Sequence, residues 1–255
     1  MKKIDLKGKR PVIIAGPCSA ETEQQTIMTC TQLAASGMVD ILRAGVWKPR
    51  TSPGSFEGVG LKGLAWMAQA KEATGLPIAV EVATSKHVES ALEFGVDVLW
   101  IGARTTVSPF AIQEIADGIK GNKDIIVLIK NPMNPDLALW AGAVARFDHS
   151  GIPVENIGLI HRGFSYFGHN KYRNAPMWHL MLEMRSRFPE MAMICDPSHI
   201  CGRREYLHEV SQKAADRSYD GLIIESHICP EKAPSDAAQP LTPSALGQPL
   251  RNINW

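Results

Sequence analysis

Eight short apolar runs recur along the chain: PVIIAG, DILRAG, PIAVEVA, VLWIGA, IIVLIK, IGLIH, AMICD and GLIIES. Each is rich in aliphatic or β-branched residues and too short for a helix, as expected of strands covered on both faces. Longer amphipathic stretches separate them, among them ETEQQTIMTCTQLAASG, SKHVESALEFG and REYLHEVSQKAADRS. These open on polar residues, and the first two end on a glycine where a helix would stop. Strand and helix in alternation build a parallel sheet. An open doubly wound sheet satisfies the same alternation, and periodicity alone does not decide closure. Eight units in 255 residues match the roughly 250 residues typical of a closed barrel. The fold expected is therefore α/β, a (β/α)8 TIM barrel, with residues 1–255 as a single domain.

The last unit breaks the pattern. After Glu225, Pro230, Pro234, Pro240, Pro243 and Pro249 forbid a long helix. The Pro-rich tail, residues 237–255, is expected to close the barrel with a loop and a short helix, and reads as a linker or a segment docking on a neighbouring subunit. A net charge of +1 supplies no global field toward nucleic acid or a membrane surface, so neither is expected as a partner. No run approaches the ~18 apolar residues of a membrane span, and the opening MKKIDLKGKRPVIIAGP is too weakly apolar for a secretory signal. A cytoplasmic location is expected. Five cysteines in irregular spacing read as reduced thiols rather than a disulfide framework.

Chemistry concentrates where the strands end. Functional side chains of a barrel gather at the carboxyl ends of its strands, and those ends carry Cys18, Arg43 with Lys48, Glu81, Arg104, Lys130, His161 with Arg162, Asp196 with His199, and Glu225. Arg43, Lys48, Arg104, Lys130 and Arg162 come from different strand ends that meet at one mouth, and like charges so gathered point to an anion among them. A phosphate ester bearing a carboxylate suits arginine forks and compact lysine charges. For any single cation, pairing with a rim carboxylate is the competing reading. Arg50, Thr51, Ser52 and Ser55 offer a second phosphate site, or only a turn.

Cys18, His199, Glu225 and Asp236 lie at or beyond the first, seventh and eighth strand ends, which are neighbours once the barrel closes. A donor set of thiolate, imidazole and two carboxylates suits Mn, Fe, Co or Zn better than Ca or Mg. Taken singly, a lone cysteine is more often inert core, and His199, in DPSH, reads also as a turn residue. GVGLKG, residues 58–63, matches GxGxxG but has no strand just before it, so a dinucleotide site is not expected. Trp178, Met181, Leu182 and Met184 read as helix packing, and Cys30 and Cys195 as core.

With AGPCS, LRAGVWKPRTSP, IGARTT, IKNPMN, HRGFS, DPSHICGRR and IIESH followed by PSDAAQ, the chain resembles the 3-deoxy-D-arabino-heptulosonate 7-phosphate (DAHP) synthases in their short single-barrel, type I subfamily. The resemblance covers nearly the whole chain. It implies condensation of phosphoenolpyruvate with erythrose 4-phosphate, the first step of the shikimate pathway of aromatic amino acid biosynthesis. It also implies a divalent metal ion, Mn2+ first and Fe, Co or Zn as alternatives, held by Cys18, His199, Glu225 and Asp236. By motif position, Arg104, Lys130 and Arg162 fall to the phosphate of phosphoenolpyruvate, with Lys48 near its carboxylate and Arg43 in support. Arg50 and Thr51, joined by Ser52, fall to erythrose 4-phosphate. Lys48, set among cations, is expected to have a lowered pKa and to act as a proton donor. The sister family that makes 3-deoxy-manno-octulosonate 8-phosphate from arabinose 5-phosphate is the alternative, disfavoured because KPRT stands where that family carries a KANRS-like motif. A homo-oligomer and a chorismate mutase domain or partner are further expectations from the family, whereas the short stretch before the first strand leaves no room for an amino-terminal regulatory domain.

Overall fold

The computed structural model describes residues 4–49, 54–234 and 236–255. All eight runs are strands: β1 (Val12–Gly16), β2 (Ile41–Ala44), β3 (Ile78–Val82), β4 (Val98–Ile101), β5 (Ile126–Lys130), β6 (Ile157–His161), β7 (Ala192–Cys195) and β8 (Gly221–Glu225). Each pairs in parallel with the next, and β8 returns to β1 in a register running from Val12↔Gly221 to Gly16↔Glu225, which closes the barrel. Around it lie α1 (Glu23–Ala35), α2 (Leu61–Thr74), α3 (Ser85–Glu93), α4 (Ala103–Thr106), α5 (Pro109–Gly118), α6 (Leu137–His149), α7 (Trp178–Arg187), α8 (Pro197–Cys201), α9 (Leu207–Ala215) and α10 (Pro243–Arg251). Thr22, Thr84 and Asp136 cap α1, α3 and α6 by accepting from backbone N–H groups of the first turn, the role that draws hydroxyl and carboxylate side chains to that position. Among the described residues no helix is long and apolar enough to cross a membrane.

Side chains alternate across a strand, and this divides the apolar residues into two cores. Val12, Ile14, Ile41, Trp100, Leu128 and Ile223 fill the barrel interior, while Ile13, Leu42, Val80, Ile101, Leu159 and Ile224 face the helices. The chain before β1 plugs the amino-terminal end through buried Leu6, which packs with the interior set. Extending the interior parity to the carboxyl ends turns Arg43, Glu81, Lys130, Arg162, Asp196 and Glu225 into the mouth.

His161 has the opposite parity and leaves the site. It is fully buried on the helix side, edge-on to Trp178 at 5.2 Å. Its Nε2 lies 2.6 Å from the Pro176 carbonyl oxygen and its Nδ1 2.8 Å from the Tyr219 hydroxyl. A carbonyl only accepts, so Nε2 carries the proton and Nδ1 accepts from Tyr219. Burial, which the Pro176 bond and the charge of Asp196 offset only in part, pushes His161 down from 6.5 to about 3. Above pH 6.5 neither folded nor unfolded chain protonates this ring. As pH falls from 6.5 toward 3 the unfolded chain alone takes the proton, and stability is lost, by about 2 kcal/mol at pH 5. Urea unfolding at pH 7.5, 6 and 5 is expected to register this slope. His161→Gln, whose amide can serve both neighbours without titrating, is expected to be less stable at pH 7.5 but shallower in pH dependence; parallel slopes would contradict the assignment.

The tail forms a helix on the barrel itself. Thr242 caps α10, Pro243 occupies its first turn, and Pro249 falls in its last, where a proline removes one bond and the helix ends soon after. α10 packs on α1 and α9, burying Leu246 and Ile253. On α7, Met181 and Met184 are buried but Leu182 is exposed, because one residue turns it about 100° from Met181. GVGLKG leads into α2, with Gly60 as its N-cap.

Candidate active site

The loop leaving β1 is held against the end of β2. Gly45 donates to the Cys18 carbonyl at 3.2 Å, and Ala20 donates to the Gly45 carbonyl at 2.9 Å. A Cβ on residue 45 would stand 2.6 Å from the Cys18 oxygen, so glycine permits this approach. The same carbonyl accepts from Lys48 Nζ at 3.1 Å and Arg43 Nη2 at 3.3 Å, and Lys48 Nζ also lies 3.2 Å from Cys18 Sγ. Lys48 is fixed from behind: its N–H donates to the Glu57 carbonyl at 2.8 Å, and the preceding Trp47 stacks on His87 at 3.9 Å.

Beneath these groups, Arg43 is buried with its guanidinium 4.6 Å above the Trp100 ring and Nη1 3.9 Å from Glu225 Oε1. Arg43 Nε and Nη1 and both Glu225 carboxyl oxygens are buried without a hydrogen-bond partner. Groups so placed cost stability unless a further ligand satisfies them.

β7 and α8 supply the other side. Asp196 caps α8, with Oδ1 accepting from the His199 N–H at 3.1 Å. His199 Nδ1 stands 3.0 Å from Asp196 Oδ1, and Lys130 Nζ 2.9 Å from Oδ2. Burial would raise the Asp196 carboxyl, but the charges of His199 and Lys130 outweigh it and hold the group well below the usual carboxylate range. Burial also lowers His199, against the pull of Asp196. His199 Nε2 lies 3.7 Å from Glu225 Oε1, and a ring that gives its Nδ1 proton to Asp196 has the Nε2 lone pair a metal-ligating histidine needs.

Asp236 approaches from beyond β8, with Oδ2 3.7 Å from Cys18 Sγ. Burial would raise its carboxyl, but Arg173 outweighs burial and lowers it. Burial, with Glu225 next, pushes the Cys18 thiol up to about 11; a metal ion would deprotonate it outright. Among the described residues no three His, Cys, Asp or Glu side chains close on one point. The set stands as two pairs, Cys18 with Asp236 and His199 with Glu225. The Glu225 oxygens without a hydrogen-bond partner and the mixed donor chemistry of the four residues fit a divalent transition ion.

The anion side gathers Arg162, Lys130 and Arg104. Arg162 is buried, its backbone N–H bound to Asn131 Oδ1 at 2.7 Å and its Nη1 to Asn174 Oδ1 at 2.8 Å. Burial lowers Arg162 to about 10, with the nearby charges of Arg173 and Arg104 adding to the shift and Asp196 opposing it. Arg104, on α4, is exposed to the mouth. Lys130 and Arg43 have their carboxylates, Asp196 and Glu225, so ion pairing and membership of the mouth coexist in the same residues.

Lys48 departs from the sequence expectation. Burial lowers it, but Cys18, Glu81 and Glu225 outweigh burial and Arg43, and the ammonium is raised above its ordinary value. Arg50, Thr51 and Ser52 lie outside the described residues. Asn131, Arg173 and Asn174 were not among the residues expected from the sequence: Asn131 directly follows Lys130 and was legible as a polar strand end, whereas nothing in HNKYRNAP separates Arg173 and Asn174 from loop residues.

The model of the DAHP synthetase I family matches residues 3–253. The phospho-2-dehydro-3-deoxyheptonate aldolase of Thermotoga maritima is 32% identical over 229 residues, covering 90% of this chain and 64% of that protein, so the chain spans less than two thirds of that relative's length. The 2-dehydro-3-deoxyphosphooctonate aldolase of Citrifermentans bemidjiense is 31% identical over 264 residues, covering 91% of this chain and 87% of that one. The crystal structure of the Thermotoga maritima DAHP synthase superposes with a TM-score of 0.85 at 29% identity, over 96% of this chain and 68% of that one. A truncated form of the enzyme from the same organism gives 0.81 at 25% identity, over 96% and 85%.

Proposed function

Because the chain belongs to the DAHP synthetase I family, we propose that it condenses phosphoenolpyruvate with erythrose 4-phosphate, releasing phosphate and forming DAHP. The observation that carries this reading is the Lys48 ammonium 3.2 Å from Cys18 Sγ, at a barrel mouth where the buried Glu225 carboxylate has no hydrogen-bond partner and other strand ends bring Lys130, Arg162 and Arg104. Cys18, His199, Glu225 and Asp236 would hold a divalent ion, Mn2+ first, with Fe, Co or Zn of the same donor preference. Such an ion supplies Lewis acidity to the aldehyde oxygen, making its carbon electrophilic.

The remaining steps fall to side chains. Arg104, Lys130 and Arg162 bind the phosphate of phosphoenolpyruvate and hold it before and after cleavage, and Arg43 with Lys48 faces its carboxylate. C3 of the enol phosphate attacks the aldehyde carbon, positive character develops at C2, and water adding there gives a phosphohemiketal that expels phosphate. Lys48, whose neighbours favour its ammonium form, delivers its proton to the oxygen that becomes the new hydroxyl. Arg50, Thr51 and Ser52 would bind the second phosphate. A catalytic domain over residues 1–255, a homo-oligomer, a cytoplasmic location, and a chorismate mutase domain or partner reached through residues 237–255 belong to the same reading.

Phosphate release is expected only with both substrates, to be lost in chelator, and to return with Mn2+. Undiminished turnover after chelation would overturn the metal reading. The Citrifermentans bemidjiense relative favours one rival, condensation with arabinose 5-phosphate. KPRT at residues 48–51 stands against it, and faster turnover with the five-carbon aldehyde would decide for the rival.

A further inference from the structure

Two consecutive residues of the long loop after β6 address the two sides of the ligand set. Arg173 Nη1 donates to Asp236 Oδ1 at 2.7 Å, while Asn174 Nδ2 donates to the His199 carbonyl at 2.7 Å and its Oδ1 accepts from Arg162. Their backbone is joined to the end of α8: Arg173 N–H donates to the Cys201 carbonyl at 3.2 Å and Asn174 N–H to the Ile200 carbonyl at 3.1 Å. Gly202 caps α8 at φ +71°, and a Cβ there would stand 2.5 Å from Arg173 Cβ, so the arginine is seated directly on the helix that carries His199.

Asp236 is tied through its own backbone by its carbonyl, which accepts from the Gln239 N–H at 2.8 Å. It is a non-glycine residue at φ 57°, a left-handed conformation that aspartate visits more readily than most residues. One carboxylate oxygen is taken by Arg173, and the other points at Cys18 Sγ, 3.7 Å away. We propose that Arg173 is a positioning residue for the metal centre, holding Asp236 by one oxygen so that the other faces Cys18 on the ligand side. Bonds of this kind orient a ligating carboxylate, and their loss typically weakens metal affinity by about 10–100-fold. Sequence gives no hint of it, because 63 residues separate the partners.

This inference rests on the metal reading above, and the test separates the two. Co2+ alone is titrated into the metal-free full chain, followed by the thiolate-to-cobalt charge-transfer absorption. Wild type is expected to saturate at one equivalent, Arg173→Gln to bind about 10–100-fold more weakly, and Arg173→Lys to recover part of the loss. The Arg173 side chain is 48% exposed, so the metal-free Gln variant should unfold close to wild type in urea. A merely structural role would lower that midpoint and spare the cobalt affinity. Unchanged affinity, or tighter binding because Arg173 competes with the ion, overturns the role of Arg173 and leaves the ligand set standing. A wild type that binds no cobalt removes the ligand set and this inference together.

Discussion

Lys48→Met should slow phosphate release by about 10²–10⁴-fold, the range for losing a positioned proton donor, and leave the barrel folded. The Cys18 carbonyl oxygen that Lys48 touches keeps a second donor, Arg43 Nη2 at 3.3 Å, and the Lys48 backbone bond to Glu57 does not depend on the side chain. The loss therefore belongs in kcat more than in stability. Lys48→Arg should not restore it, because a planar fork cannot place one compact charge against both Sγ and carbonyl oxygen. Steady-state kinetics beside urea unfolding checks both parts. Turnover within fivefold of wild type would remove Lys48 from the proton-transfer role.

Lys130→Met is expected to cost about 3 kcal/mol of stability, the lower end of the 3–5 kcal/mol for breaking a buried pair. Asp196 is wholly buried, and without Lys130 its Oδ2 loses the 2.9 Å bond, leaving His199 and the backbone N–H as partners. These keep the cost from the upper end. The Asp196 carboxyl, now held down by one positive neighbour fewer, should also titrate higher. A folded-state carboxyl that is depressed stabilises above its unfolded pKa, and that stability is lost as pH falls through the folded value. The variant should therefore lose less stability than wild type as pH falls below the unfolded carboxyl value of about 3.9. Urea unfolding at pH 7.5 gives the first quantity and a series below about pH 4 the second, and a difference below 1 kcal/mol at pH 7.5 would mean that the pair is screened. On the role proposed for Lys130, phosphoenolpyruvate binding should weaken as well.

Much of the site was legible because a barrel sorts chemistry by position. PVIIAG, DILRAG and PIAVEVA each lose their first residue to the loop before the strand, and the ends that matter, Arg43, Lys130 and Glu225, stand where the apolar runs stop. Parity was harder. HRGFS places His161 and Arg162 side by side, and only the register of β6 against β5 and β7 sends one to the helix layer and the other to the mouth. The pKa shift of Lys48 runs opposite to the sequence expectation: LRAGVWKPR displays the cations, while Cys18, Glu81 and Glu225, which raise it, come from other strand ends.

The sequence by itself determined the eight strands and the side of the barrel that carries charge. Local patterns suffice there, since strand propensity and double-sided burial act within five or six residues. The tertiary structure alone decided which groups face one another: Cys18 with Asp236, His199 with Glu225 and Asp196, and Arg173 over Asp236. Coulomb energy and hydrogen bonding depend on distances of a few ångströms between side chains set by closure, and no spacing along the chain encodes those distances.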